Sequence, residues 1–154
     1  MSDAHASSSR VAPGFLLARG VCRFLVSLDF APLAEFSPER GLRVDVIAIG
    51  PKGEIWIIEC KSGRSDYMSD RKWHRYVPWC DRFFWAVDAT FPTDLLPEET
   101  GLMIGDAFGA EILRHPVDSP LPAARRRALT RAFGRCSALR LARELDPQTG
   151  HPIE

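Results

Sequence analysis

Three residues near the middle of the chain combine types that hydrolytic chemistry uses: Asp45, Glu59 and Lys61. Asp45 interrupts the apolar run Val44-Asp45-Val46-Ile47, where a carboxylate is costly to bury unless it is paired or holds a cation. Glu59 and Lys61 close the run Ile55-Trp56-Ile57-Ile58-Glu59-Cys60-Lys61, and strand alternation puts both on one face. A three-residue turn, Pro51 to Gly53, would pair Gly50 with Glu54 and set Asp45 opposite Glu59. A two-residue turn would shift the register and separate them. Two adjacent carboxylates repel and are stable chiefly with a cation between them. Mg²⁺ or Mn²⁺ held there would polarise a phosphoryl oxygen and lower the pKa of a bound water, with a lysine to position that water. That is the chemistry of phosphodiester hydrolysis. On spacing alone, a solvated Glu–Lys pair at a strand end explains the same residues.

The elements that must position these residues are legible. Pro13 to about Leu28 carries Phe15, Ala18, Cys22, Leu25 and Leu28 at helical spacing, with Pro13 tolerated in the first turn. Leu33–Phe36 is a short strand between Pro32 and Pro38. Leu42–Ile49 and Glu54–Cys60 are β-branched strands joined by Gly50-Pro51-Lys52-Gly53, which predicts an antiparallel hairpin. Ser62–Ser69 is polar and reads as a loop, and Asp70–Cys80 as a helix carrying Trp73 and Tyr76 on its apolar side. His74 falls on the exposed side, and Trp56 alternates away from Glu59, under a helix. Arg82–Asp88 is a buried strand, and 91–100 is loop. Gly101–Gly105 and Ala110–Arg114 form a second hairpin, and Pro122–Leu145 a last helix, ended by Pro147 and Gly150. The expected architecture is α/β, a mixed sheet flanked by helices in the order αβββαβ, with a C-terminal helix.

With 154 residues, 45% hydrophobic and 26% charged, the composition is that of one globular domain. Residues 1–12 are a polar, disordered tail, 13–146 the domain and 147–154 a second tail. No apolar run is long enough to span a bilayer, and the first residues lack a signal-peptide core, so a cytoplasmic location is expected. Cys22, Cys60, Cys80 and Cys136 form no C-x-x-C pair and read as structural thiols. Twenty basic residues balance twenty acidic ones, which excludes a protein that is basic all over. The balance is uneven along the chain. Residues 121–154 hold seven arginines against three acids, a net of +4, so residues 1–120 carry −4. Arg125, Arg126, Arg127, Arg131 and Arg135 on the last helix are candidate DNA phosphate contacts, and Arg127, Arg131 and Arg135 share one stripe. An ordinary solvated helix face is the competing explanation.

Asp45, followed on the far strand of a hairpin by Glu59-Cys60-Lys61, resembles the PD-(D/E)xK nuclease core, although Val44 stands where that motif has its proline. The runs Ile58-Glu59-Cys60-Lys61-Ser62-Gly63, Asp66-Tyr67, Asp70-Arg71-Lys72-Trp73-His74-Arg75-Tyr76 and Cys80-Asp81-Arg82-Phe83 are similar to the MmcB family of bacterial DNA repair proteins. Leu96-Pro97, Gly101-Leu102 and Arg125-Arg126-Arg127 extend the match across residues 15–143. The resemblance implies a restriction-endonuclease-like fold and a metal-dependent DNA endonuclease acting in the damage response. In its terms Asp45 and Glu59 hold the metal, Glu35 is an additional acid near it, Lys61 is catalytic, and Lys72 points in from the second helix. DNA and other DNA repair proteins are the expected partners, with no membrane. A DNA-structure-binding scaffold with weak or no catalysis on the same fold is the alternative. Intact Asp45, Glu59 and Lys61 count against it.

Overall fold

In the computed structural model, which describes residues 12–70 and 72–150, the β-branched runs pair into one six-stranded mixed sheet. The elements are α1 (Pro13–Ser27), β1 (Ala31–Glu39), β2 (Leu42–Ile49), β3 (Ile55–Lys61), α2 (Arg64–Ser69), α3 (Trp73–Tyr76), β4 (Arg82–Val87), β5 (Gly101–Gly105), β6 (Ala110–Arg114) and α4 (Ala123–Leu145). The strands lie in the sheet in chain order, β1 to β6. β3, β4 and β5 run parallel, while β1–β2, β2–β3 and β5–β6 are antiparallel pairs. Every residue of β3 is buried, as expected of a central strand covered on both faces.

Alternation divides the core in two. Trp56, Ile58 and Cys60 face α1, whose Leu17, Val21 and Leu25 are buried against them. Ile55 and Ile57 face the opposite layer, where Leu129 of α4 is buried and Phe133 packs alongside. Both helices therefore cover the sheet, one on each side.

Four local expectations change. The buried stripe of α1 keeps the expected Leu25 but is rotated toward Leu17 and Val21; Ala18 and Cys22 are half-buried beside it, and Phe15, 63% exposed, and Leu28 lie outside it. Gly20 explains the rotation. A Cβ there would collide with the Asp106 carbonyl oxygen, so the β5–β6 turn seats directly on the helix at that position. β1 is longer than Leu33–Phe36 and contains Pro32 and Pro38. It is an edge strand, where a missing N–H need not break a ladder, and its register shifts between Phe36 and Glu39.

The stretch 62–69 is not all loop. Arg64–Ser69 form α2, with Asp66 accepting the Ser62 N–H at 3.3 Å and Tyr67 edge-on to Trp85 at 5.2 Å. Conversely, the helix expected over 70–80 shrinks to α3 and a 3-10 turn at Val77–Trp79. Pro78 cannot continue an α-helix hydrogen-bond pattern, and Asp70 is extended, its carboxylate accepting the N–H groups of Lys72 at 2.7 Å and Trp73 at 3.1 Å.

Apart from Ala12, the expected N-terminal tail lies outside the described residues, as do 151–154 of the second tail. Pro147–Thr149 form a 3-10 turn, and the Asp146 carboxylate accepts the Gln148 N–H at 3.1 Å. No described helix is long and apolar enough to cross a membrane.

Candidate functional site

The β2–β3 turn decides where the two central carboxylates meet. Gly50 donates its N–H to the Glu54 carbonyl at 2.8 Å, and Gly53 closes the turn with a left-handed φ of 85°. Three residues, Pro51 to Gly53, thus connect the strands, and pairing runs from Ile49 opposite Ile55 to Val46 opposite Ile58. Asp45 and Glu59 come next in that register. There the ladder stops, and side chains replace backbone. The Asp45 N–H donates to Glu59 Oε1 at 2.8 Å, and the Cys60 N–H donates to Asp45 Oδ2 at 2.8 Å. Each carboxylate caps the other's strand. Asp45 Oδ1 and Glu59 Oε2 accept no backbone N–H among the described residues, and the two carboxyl groups hydrogen-bond each other.

Burial makes this pair electrostatically demanding. Glu59 is 3% exposed, and its carboxyl is pushed up to about 9, first by burial and then by the charge of Asp45. Asp45 is also raised by burial, partly offset by the Cys60 N–H and by Lys61. Without a cation, the pair therefore retains a proton near neutrality.

Lys61 lies on the same face of β3. Burial alone would lower its pKa, but it is raised because Asp70 Oδ2 sits 2.8 Å from its ammonium and Asp66 4.0 Å away. The same ammonium lies 5.9 Å from the Trp85 ring centroid. Asp70 was not among the sequence candidates. Its carboxylate is nearly buried, with one oxygen on Lys61 and the other holding the start of α3. The signal that could have found it is the need of Lys61, at the end of a buried strand, for a counter-charge nearby.

Asp45, Glu59, Lys61, Asp66, Asp70 and Lys72 line one cavity of about 530 Å³. Lys72 is exposed at its rim. Among the described residues no group of three or more His, Cys, Asp or Glu side chains converges tightly enough to enclose a metal. What converges is the pair of carboxylates Asp45 and Glu59. That donor set fits a hard cation such as Mg²⁺, which takes one or two carboxylates and keeps several waters.

Glu35 sits between the pairs Ala34–Val46 and Phe36–Val44, which places it beside Asp45 across β1 and β2. Its φ is 52°, uncommon for a residue with a Cβ. Arg140 fixes that turn of backbone, donating to the Ala34 carbonyl and, at 2.8 Å, to the Glu35 carbonyl. The Glu35 side chain is exposed and lines a second cavity that also includes Asp45.

The arginines of α4 divide into two groups. Arg127, Arg131 and Arg135 are exposed, on the side of the helix away from Leu129 and Phe133. Arg126 instead donates two hydrogen bonds of 2.6 Å to the Asp81 carboxylate and one of 3.0 Å to the Gly53 carbonyl. Arg125 lies over the Trp79 ring at 4.4 Å and donates to the Pro78 carbonyl at 3.0 Å. These two anchor the helix, and the outward stripe of three remains available. Trp73 and Tyr76 pack in the core, His74 is exposed, and all four cysteines are free thiols.

A family model described as DNA repair protein MmcB-like matches residues 2–148. No curated protein matches the sequence. A solved structure from Silicibacter pomeroyi, titled as a protein of unknown function, is 51% identical. It superposes with a TM-score of 0.90, and the match covers 94% of this chain and 99% of that one.

Proposed function

This chain belongs to the MmcB-like family of DNA repair proteins, and from that premise we propose that it is a metal-dependent DNA endonuclease of the PD-(D/E)xK type. The observation that carries this reading is the reciprocal capping of Asp45 and Glu59, which sets a half-buried and a buried carboxylate side by side where the β2–β3 ladder ends. Such a pair is an ion site waiting for a charge of opposite sign.

Asp45 and Glu59 would hold Mg²⁺ or Mn²⁺ through their carboxylates. When bound, the ion supplies a Lewis acid for the phosphoryl oxygen and a water of lowered pKa. Lys61 stays charged through Asp70 and presents an N–H donor toward the attacking water and the developing negative charge. Asp70 acts through Lys61, fixing its ammonium. Lys72 at the rim would contact a phosphate flanking the one that is cut. Glu35 would reach the ion through a water. The solvent-facing stripe Arg127, Arg131 and Arg135 would hold the DNA backbone away from the cut.

The test is cleavage of nicked, branched and single-stranded DNA in Mn²⁺ by wild type, Glu59→Gln and Lys61→Ala. Loss of cleavage by about 10²-fold or more in both variants, with unchanged circular dichroism, is expected, since each removes a transition-state contact. Cleavage that persists in both would sink the assignment. One observation favours a second reading: no third side-chain ligand converges on the carboxylate pair among the described residues. Wild type that binds branched DNA without cutting it in any divalent metal would make the protein a DNA-structure-binding scaffold on a nuclease fold.

A further inference from the structure

The tip of the β5–β6 hairpin exposes a large aromatic ring in an unusual setting. Phe108 is 73% exposed, yet the turn carrying it is tightly built. The Asp106 carboxylate accepts the N–H groups of Phe108 at 2.8 Å and Gly109 at 3.2 Å, and Asp106 donates its own N–H to the Gly109 carbonyl at 3.0 Å. Arg19 of α1 donates to the Ala107 carbonyl at 3.0 Å. Gly20, one residue on, permits the close approach of the turn. A ring fixed in solvent by this many constraints is presented, not merely left over.

Two cations flank it. The guanidinium carbons of Arg19 and Arg23 lie 5.8 Å and 6.0 Å from the Phe108 ring centroid. Both side chains lie on the outer side of α1, away from its buried stripe. An aromatic face beside two guanidinium groups is the combination that stacks a nucleobase and neutralises its phosphates.

Arg19 also belongs to a cavity of about 600 Å³ beneath the start of α1. Phe15, Ala18 and Cys22 form its apolar wall, and Asp45 lies at its inner side. Asp45 also lines the acidic cavity that holds Glu59 and Lys61. The apolar cavity is thus a side chamber of the carboxylate pair. It has the size of a small-molecule pocket, roughly 300–1,000 Å³, which is room for a single nucleobase. Asp45 and the exposed Glu35 line the cavity and repel anionic groups, so phosphates stay outside, at the arginines. That is the polarity of a nucleotide: apolar base inward, charged backbone outward.

We propose that the α1 face is a single-strand DNA subsite, with one unpaired base in the Phe15–Ala18–Cys22 cavity, a neighbouring base stacked on Phe108, and the phosphates between them on Arg19 and Arg23. The inference rests on the nuclease reading for its direction, since it leads an unpaired strand to Asp45. It makes the substrate DNA that is already single-stranded or frayed, because a paired base cannot enter the cavity.

Its test needs neither metal nor cleavage. Fluorescence anisotropy with chelator present compares a labelled oligothymidylate, long enough for the roughly 4–16 nucleotides of single-strand sites, with a matched duplex. Phe108→Ala is expected to weaken single-strand binding by roughly five- to a hundredfold, the loss of one stacked base, and to leave duplex binding unchanged. Phe108→Trp should preserve it. Arg23→Ala should weaken it and reduce its salt dependence. Ala18→Trp, which fills the cavity, should weaken it with thermal melting unchanged. Unaltered single-strand binding in Phe108→Ala, or equal loss on both DNAs, overturns the stacking site; unaltered binding in Ala18→Trp overturns the cavity. Wild type that binds single strands through Phe108 but cuts nothing would refute the nuclease reading and leave this one standing.

Discussion

At Glu59, folding and metal binding pull on the same proton. Its carboxyl rises from about 4.5 unfolded to about 9 in the native protein, so the native state binds a proton that the unfolded chain has lost. Stability from this group is full below about pH 4.5 and falls as pH rises toward about 9. A divalent cation needs both carboxylates ionised, so it competes with that proton and should stabilise the protein more at about pH 8 than at about pH 5. At a hundred times its Kd, Mn²⁺ would add about 2.7 kcal/mol, read as a rise in melting temperature. Glu59→Gln should abolish the rise, and a Mn²⁺ shift of equal size at both pH values would contradict the ion site. Asp70→Asn should leave Lys61 without its main counter-charge and reduce kcat more than DNA binding, with Asp70→Glu restoring part of it. Asp45, Glu59 and Lys61 were legible in the sequence because each broke an apolar pattern. Asp70 was not, since a carboxylate in a polar stretch breaks nothing; only its hydrogen bonds to α3 and its ion pair with Lys61 set it apart.

Elements in this protein are held by polar clamps as much as by packing. Asp81 precedes β4 and accepts hydrogen bonds from Ile55 N–H at 2.7 Å, Leu121 N–H at 2.8 Å and both arms of Arg126, tying the sheet to the start of α4. Burial would raise its pKa, but these donors hold it below the usual carboxylate range. Its contribution is therefore present above about pH 4 and lost as pH falls through the depressed value. Asp81→Asn should cost about 1.5–3 kcal/mol, the range for a hydrogen bond to a charged group, measured by urea unfolding at neutral pH, and the difference from wild type should shrink in acid. Gly20→Ala, which drives a methyl into the Asp106 carbonyl, should cost about 1–3 kcal/mol or more. Strands and long helices were readable from periodicity. The face of α1, the extent of β1 and the break between α2 and α3 were not, because Gly20, the edge position of β1 and the Asp70 cap act through the folded structure and leave no periodic trace.

Over the whole molecule, zero net charge resolves into a body, residues 1–120, of −4 and a C-terminal segment of +4 that carries the arginine stripe of α4. If that stripe holds DNA, changing Arg127, Arg131 and Arg135 together to alanine should lower the slope of log binding constant against log salt by about 2–3, near 0.9 for each phosphate no longer neutralised. An unchanged slope would assign the stripe to solvation alone. The order of the strands has a different consequence, one of timing. Because β1 to β6 neighbour one another in the order they are made, each can join an edge already standing as the chain leaves the ribosome. The guanidinium that Asp81 requires arrives only with residue 126, after every strand has been synthesised. All the residues that line the carboxylate cavity, 14 to 76, are therefore made before Arg126, so the clamp on Asp81 is the later of the two to become available.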